Sequence, residues 1–125
     1  MIIGTGMDLI SIERLRGFRH RHGERGLARL FTDGELLYCL RLADPAPSLA
    51  ARFAAKEAFF KAVGLGWGTG GDWREVEVRR DSRGAPELNL YGRAAAAARA
   101  RSAARFYLSL THTAEMAGAV VVLEA

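Results

Sequence analysis

The six residues KEAFFK, positions 56 to 61, contain both lysines of a chain that otherwise draws its basic charge from 16 arginines. Lysine presents a compact point charge suited to a phosphate, where arginine offers a planar fork. Glu57, between the two lysines, offers hard oxygen for Mg²⁺. Cations beside a metal-binding carboxylate are what a diphosphate–metal complex requires. An isolated E-x-x-x-K is ordinarily a helix ion pair worth ~0.3–0.5 kcal/mol. Its neighbours set this one apart. On a helical wheel over residues 49 to 63, Ala51, Ala54, Ala55, Ala58 and Ala62 share one side, small enough for close approach to a sheet or helix. Arg52, Phe53, Lys56, Glu57, Phe60 and Lys61 share the other. Interleaved aromatics and charges fit a wall of a cleft that holds a charged ligand.

Two further residues join this set. In GTGMDLI, Asp8 follows a short strand expected to end in glycines, which allow close backbone approach. Alone, Asp8 reads as an Asx turn or a cap; beside Glu57 it supplies a second hard ligand, within the one or two carboxylates Mg²⁺ usually takes. In LSLTHTAEM, His112 stands between threonines at a strand end, where a side chain reaches a cleft; alone it reads as a hydrogen-bonded loop histidine. His20 and His22 read as surface residues. No His/Cys cluster has zinc spacing, and there is no G-x-S-x-G.

The elements that position these residues follow from pattern. SIERLRGFRHRHG predicts a helix capped by Ser11, with Arg14, Phe18, Arg21 and Arg25 recurring on one face. TDGE, from Thr32 to Glu35, is a capping box opening a second helix to about Arg41. DPAPS breaks the chain, and Ser48 is expected to cap a third helix that ends at Gly64. GLGWGTGGD is a glycine-rich loop. It follows a helix, so it does not read as a dinucleotide fingerprint. WREVEVRR and PELNLYG predict strands around the turn DSRG. GRAAAAARARSAA predicts a helix, and RFYLSLT and AGAVVVLEA predict two last strands. Strands and helices without strict alternation indicate an α+β class.

The 125 residues suit a single domain, 1–125, that can bury a core without staples. No apolar run is long enough for a membrane span, and MIIGTGMDLI lacks the basic region of a signal peptide. The single Cys39 excludes an internal disulfide and fits a cytoplasmic location. Residues 11 to 29 carry six arginines against Glu13 and Glu24, a surplus of four that equals the net charge of +4. Such a patch suits an acidic partner or is a solvated face. A nucleic acid is disfavoured, because no RNA motif or aromatic stacking platform accompanies it.

Together these segments resemble the phosphopantetheinyl transferases, specifically the short holo-acyl-carrier-protein synthases, nearly end to end. GTGMDLISIERL resembles the family's N-terminal G-x-G-x-D signature, FTDGELLYC its second-helix segment, and RFAAKEAFFKAVGLG its K-E-x-x-x-K core. GAPELNLYG and SLTHTAEMAGAVVVLE complete the order. Phe60 stands where a small residue is common in the family, and Thr111 where serine is frequent.

The resemblance implies transfer of 4′-phosphopantetheine from coenzyme A to a serine of apo acyl carrier protein, with adenosine 3′,5′-bisphosphate leaving. It implies an α+β fold, an antiparallel sheet packed with helices, and a homotrimer with active sites between subunits. Asp8 and Glu57 match the Mg²⁺ ligands, and Lys61 the lysine that holds the phosphates. His112 and Thr113 match residues that contact coenzyme A, and Arg52, Lys56, Gly64 and Pro86 match positions near the nucleotide. Arg14 matches a first-helix residue that docks the carrier protein, with Phe18, Arg21 and Arg25 extending that surface. Glu57 and a water of the magnesium shell are both candidates to take the serine proton. The alternative function is a non-catalytic module that holds coenzyme A or a carrier protein.

Overall fold

A computed structural model describes all residues, 1–125. Strand β1 (Ile2–Ser11) leads into helix α1 (Ile12–Leu30), followed by α2 (Asp33–Leu40) and α3 (Ala46–Val63). A hairpin of β2 (Val76–Arg80) and β3 (Pro86–Leu90) precedes α4 (Gly92–Ala100), and strands β4 (Arg105–His112) and β5 (Met116–Glu124) close the chain. The strands form an antiparallel sheet in the order β1-β5-β4 and the separate β2-β3 ribbon. The class is α+β, as the mixed pattern indicates. No helix is long and apolar enough to cross a membrane.

Local chemistry sets most boundaries. The Ser11 side chain accepts from the Arg14 N–H at the start of α1. At α2, the Thr32 hydroxyl accepts from the Glu35 N–H while Glu35 accepts from the Thr32 N–H, the reciprocal pair the TDGE motif predicts. Gly64 ends α3 in the left-handed conformation, φ 76°, which favours glycine.

Four boundaries differ from the sequence pattern. First, β1 does not stop at its glycines. It pairs with β5 as far as Ser11, so Asp8 lies within the strand, opposite Ala119. Second, α1 continues past Gly23 to Leu30, with a break at Gly23, whose φ of 59° only glycine takes readily. Third, α3 starts at Ala46 rather than being capped by Ser48. Asp44 accepts from the Ala46 N–H, and Pro47 sits in the first turn, where a missing N–H costs nothing. Fourth, residues 73 to 75 make a 3₁₀ turn capped by Asp72, and the ladder begins only at Val76.

Helix α3 is the hub, with most of its surface buried: Ala50, Ala54, Ala55, Ala58 and Phe59 have no exposure. Successive strand residues point to opposite sides. Gly4, Gly6, Asp8 and Ile10 therefore share the side of β1 that faces α3. A Cβ at Gly4 would overlap the Ala62 carbonyl, and one at Gly6 would overlap that of Ala58. Bare strand backbone thus lies against the alanine side of the helix. Arg101 closes one end of this seam, donating to the carbonyls of Val63 and Ile3 at 2.7 Å each.

A methyl group at Gly6 has no room to relax, because its obstacle is helix backbone. Gly6→Ala should destabilise the fold by at least about 2 kcal/mol in urea unfolding, the range for overpacked contacts. The same substitution at Gly66, where nothing lies near the added carbon, should have a far smaller effect.

Candidate functional site

The seam places Asp8 beside the charged edge of α3. Lys61 Nζ donates to Asp8 Oδ1 and to the Met7 carbonyl, both at 3.0 Å. Lys61 therefore does not make the i, i+4 pair with Glu57; it crosses to the strand instead. A lysine has three N–H donors. Two are used here, and the side chain is 55% exposed, so the third faces solvent. Glu57 is half-buried and makes no hydrogen bond or ion pair. Burial pushes its carboxyl above the usual range, and the Asp8 charge pushes it further, against the opposing pull of Lys61 and Arg14. The structure thus brings together Asp8, Glu57, Lys61 and the first-turn residue Arg14.

This donor set suits a hard dication. No group of three or more His, Cys, Asp and Glu side chains could hold a metal ion. Two carboxylates repelling each other would take Mg²⁺ only with waters and phosphate oxygens completing its shell, which is the usual Mg²⁺ arrangement. A dication would also relieve the Asp8–Glu57 repulsion.

Lys56, expected near the nucleotide, lies instead in the core with no exposure. Its three donors meet three acceptors: Glu35 Oε1 at 2.7 Å, the Trp73 carbonyl at 3.0 Å and the Val76 carbonyl at 2.6 Å. Glu35 also accepts from the backbone of Thr32 and Val78. Burial lowers the Lys56 pKa, and Glu35 opposes that shift. The compact ammonium fits a three-acceptor pocket that a planar guanidinium would not. Removing one partner of such a pair typically costs about 3–5 kcal/mol, because the other charge is stranded. Lys56 therefore ties α3 to α2 and to the start of β2. Phe60, at the expected small-residue position, is buried edge-on against Phe59 and Trp73.

A second cluster gathers elsewhere on the chain. Arg52, Pro86 and His112 line one cavity of about 260 Å³, together with Ser48, Arg80 and Thr111. Arg52 and Lys61 are nine positions apart on α3, about 13 Å along its axis. Thr113 does not line this cavity. Its hydroxyl accepts from the Glu115 and Met116 N–H groups and so shapes the β4–β5 turn. Gly64 is explained by its helix-ending conformation. Arg80 carries no motif that would single it out by sequence, whereas Thr111 adjoins His112 in the LSLTHTAEM segment.

A third surface runs along α1. Phe18, Arg21, His22, Arg25 and Arg29 wall a groove of about 850 Å³ opposite Trp67, Trp73 and Arg74. The stripe of Phe18, Arg21 and Arg25 survives the Gly23 break, but Arg14 departs from it and sits by Glu57. The glycine-rich loop contributes Trp67, whose ring stacks 5.9 Å from Trp73 and whose Nε1 donates to Asp72.

Residues 4–115 match the family model described as the 4′-phosphopantetheinyl transferase superfamily. A holo-[acyl-carrier-protein] synthase from Syntrophus aciditrophicus is 44% identical over 124 residues, 99% of this chain and 97% of that protein. The crystal structure of the Neisseria meningitidis holo-[acyl-carrier-protein] synthase matches with a TM-score of 0.91 and 33% identity, covering all of both chains. A Bacillus anthracis holo-(acyl-carrier-protein) synthase, solved in complex with CoA (3′,5′-ADP), matches with a TM-score of 0.83 and 34% identity, covering 100% of this chain and 98% of that one.

The charge balance at Glu57 has a measurable sign. Its raised pKa means that, just above the ordinary carboxylate range, the folded chain keeps a proton the unfolded chain has lost, so stability falls with rising pH across that window. Asp8→Asn removes the second cause of the shift and leaves the first, burial. Carboxyl-carbon NMR should show the Glu57 midpoint moving down in Asp8→Asn while staying above that of an exposed glutamate. An unmoved midpoint would separate the two carboxylates.

Proposed function

We propose that this chain, which belongs to the 4′-phosphopantetheinyl transferase superfamily, moves 4′-phosphopantetheine from coenzyme A to a serine of apo acyl carrier protein, as a holo-[acyl-carrier-protein] synthase. The observation that carries this reading is the unpaired Glu57 carboxylate beside the Asp8–Lys61 pair. It leaves a carboxylate free for a dication beside an ammonium with an N–H free for a phosphate.

Asp8 and Glu57 would hold Mg²⁺, which when bound neutralises the diphosphate and the leaving bisphosphate. Lys61, anchored by Asp8 and the Met7 carbonyl, directs its remaining N–H at a phosphate oxygen. The serine oxygen bonds to the phosphorus that carries pantetheine as the bond from that phosphorus to the bridging oxygen breaks, releasing adenosine 3′,5′-bisphosphate. The serine proton would go to a Glu57 carboxylate oxygen or to a water of the magnesium shell. Fixed charges and positioning supply most of the acceleration in such transfers.

Coenzyme A also carries a nucleotide, and Arg52, Pro86 and His112 form a separate cavity for it. A ligand touching both clusters is best served by two copies of the chain. The outer face of the β1-β5-β4 sheet supports this, with Met7, Leu9, Tyr107 and Val120 all exposed. Monomers rarely leave so contiguous an apolar face open. The homotrimer with sites between subunits that the family resemblance implies would meet this need. The groove along α1 presents arginines around Phe18 and Trp67 to an acidic carrier-protein helix. Neither nucleic acid nor membrane is a partner in this scheme. The free, buried Cys39 accords with a cytoplasmic setting.

Incubated with coenzyme A, Mg²⁺ and apo acyl carrier protein, the protein should add ~340 Da to the carrier, the mass of the cofactor's acyl-carrying arm. Glu57→Gln should lower this rate at least ~100-fold, the scale for loss of one electrostatic group, without lowering the melting temperature. Binding of coenzyme A with no mass gain would identify a non-catalytic module. Full turnover by Glu57→Gln would remove Glu57 from the mechanism.

A further inference from the structure

Three arginines converge on one ring. The guanidinium carbons of Arg52, Arg41 and Arg80 lie 4.5, 4.7 and 4.9 Å from the centre of Tyr38. None of the three forms an ion pair with a carboxylate. Arg52 is 3% exposed, its Nε is buried without any acceptor, and its one hydrogen bond, to the Ser48 carbonyl, is long at 3.4 Å. Arg80 is tied to its own hairpin by a 2.7 Å bond to the Gly84 carbonyl. Arg52 and Arg80 line two cavities at once, the one with Pro86 and His112 and a second of about 410 Å³ that also holds Tyr38, Glu77 and Tyr91. Tyr38 borders only the second.

Three cations around one point repel, and a buried guanidinium N–H without an acceptor is costly. The negative face of an aromatic ring offsets part of this by cation–π attraction. It supplies no acceptor for the buried Nε–H, and a bound anion would supply one. Of the phosphates of coenzyme A, the diphosphate belongs with Asp8, Glu57 and Lys61, leaving the 3′-phosphate for this cluster. The Tyr38 hydroxyl has no hydrogen bond to any other group, so the ring is the working part.

We propose that Tyr38 is a positioning residue: its ring braces Arg52 and Arg80 from the second cavity so that both guanidiniums face the 3′-phosphate of coenzyme A in the first. The assignment rests on the transferase reading above. Tyr38 touches no reacting atom, so it acts on substrate affinity and selectivity rather than on the chemical step.

The test compares Tyr38→Leu and Tyr38→Phe with the wild type, using coenzyme A and 3′-dephospho-coenzyme A as alternative donors and apo acyl carrier protein as acceptor. Tyr38→Leu should raise the KM for coenzyme A about five- to tenfold, the factor expected from losing one or two ring–guanidinium contacts. Its KM for the dephospho donor and its kcat should stay within about twofold of wild type. Tyr38→Phe, which keeps the ring, should retain the wild-type preference. A Tyr38→Leu that raises both KM values equally would make the residue merely structural and overturn the proposal. So would a Tyr38→Phe as impaired as Tyr38→Leu, or a wild type indifferent to the 3′-phosphate. Absence of transfer by the wild type from either donor would instead overturn the functional reading.

Discussion

Where β1 runs along α3, two strand residues have no side chain, and the rest of the site depends on that omission. With Gly4 and Gly6 bare, the strand meets the carbonyls of Ala62 and Ala58 directly. Period-two alternation puts Asp8 on the same side two residues later. Helical spacing puts Glu57 and Lys61 one residue before the alanines the strand touches. Any bulk in the seam would separate Asp8 from Lys61, whose side chain now bridges the gap at 3.0 Å. A single packing constraint therefore fixes the distance between two carboxylates far apart in the chain, with Arg101 holding its far end.

The cations divide into structural and available ones, and residue type follows that division. Lys56 is wholly buried and meets three acceptors, which suits a compact ammonium. Lys61, five residues on, keeps one donor for solvent. Arg52 is almost as buried as Lys56 yet lacks an acceptor at Nε, leaving capacity for a ligand. Arg101 is consumed by two backbone carbonyls. Exposure alone does not separate these roles; the balance of donors against acceptors does.

Much of this was legible in the residues. The G-x-G-x-D spacing and the alanine side of α3 announced close approach, and both partners of the seam are found. The Thr32–Glu35 capping box and the helix end at Gly64 are local signals and stand as the pattern implies. What depended on distant partners was not legible. Lys56 reads like Lys61 until Glu35, 21 positions away, is seen beneath it. Thr113 also shapes the β4–β5 turn, where its hydroxyl accepts from two N–H groups, a part the sequence does not announce. Arg14 reads as one step of the stripe with Phe18, Arg21 and Arg25 until its charge is found beside Glu57. Tyr38 carries no motif, because its role arises from three arginines on three different segments.

The proposed chemistry requires Asp8 and Glu57 to share one dication. The direct measurement is an NMR titration of the isotopically labelled protein with Mn²⁺ in place of Mg²⁺, in the presence of coenzyme A. Signals from residues 7 to 9 and 57 to 61 should broaden at the lowest Mn²⁺ concentrations, and Glu57→Gln should abolish that selectivity. Broadening centred on another acidic group, or unchanged by Glu57→Gln, would contradict it.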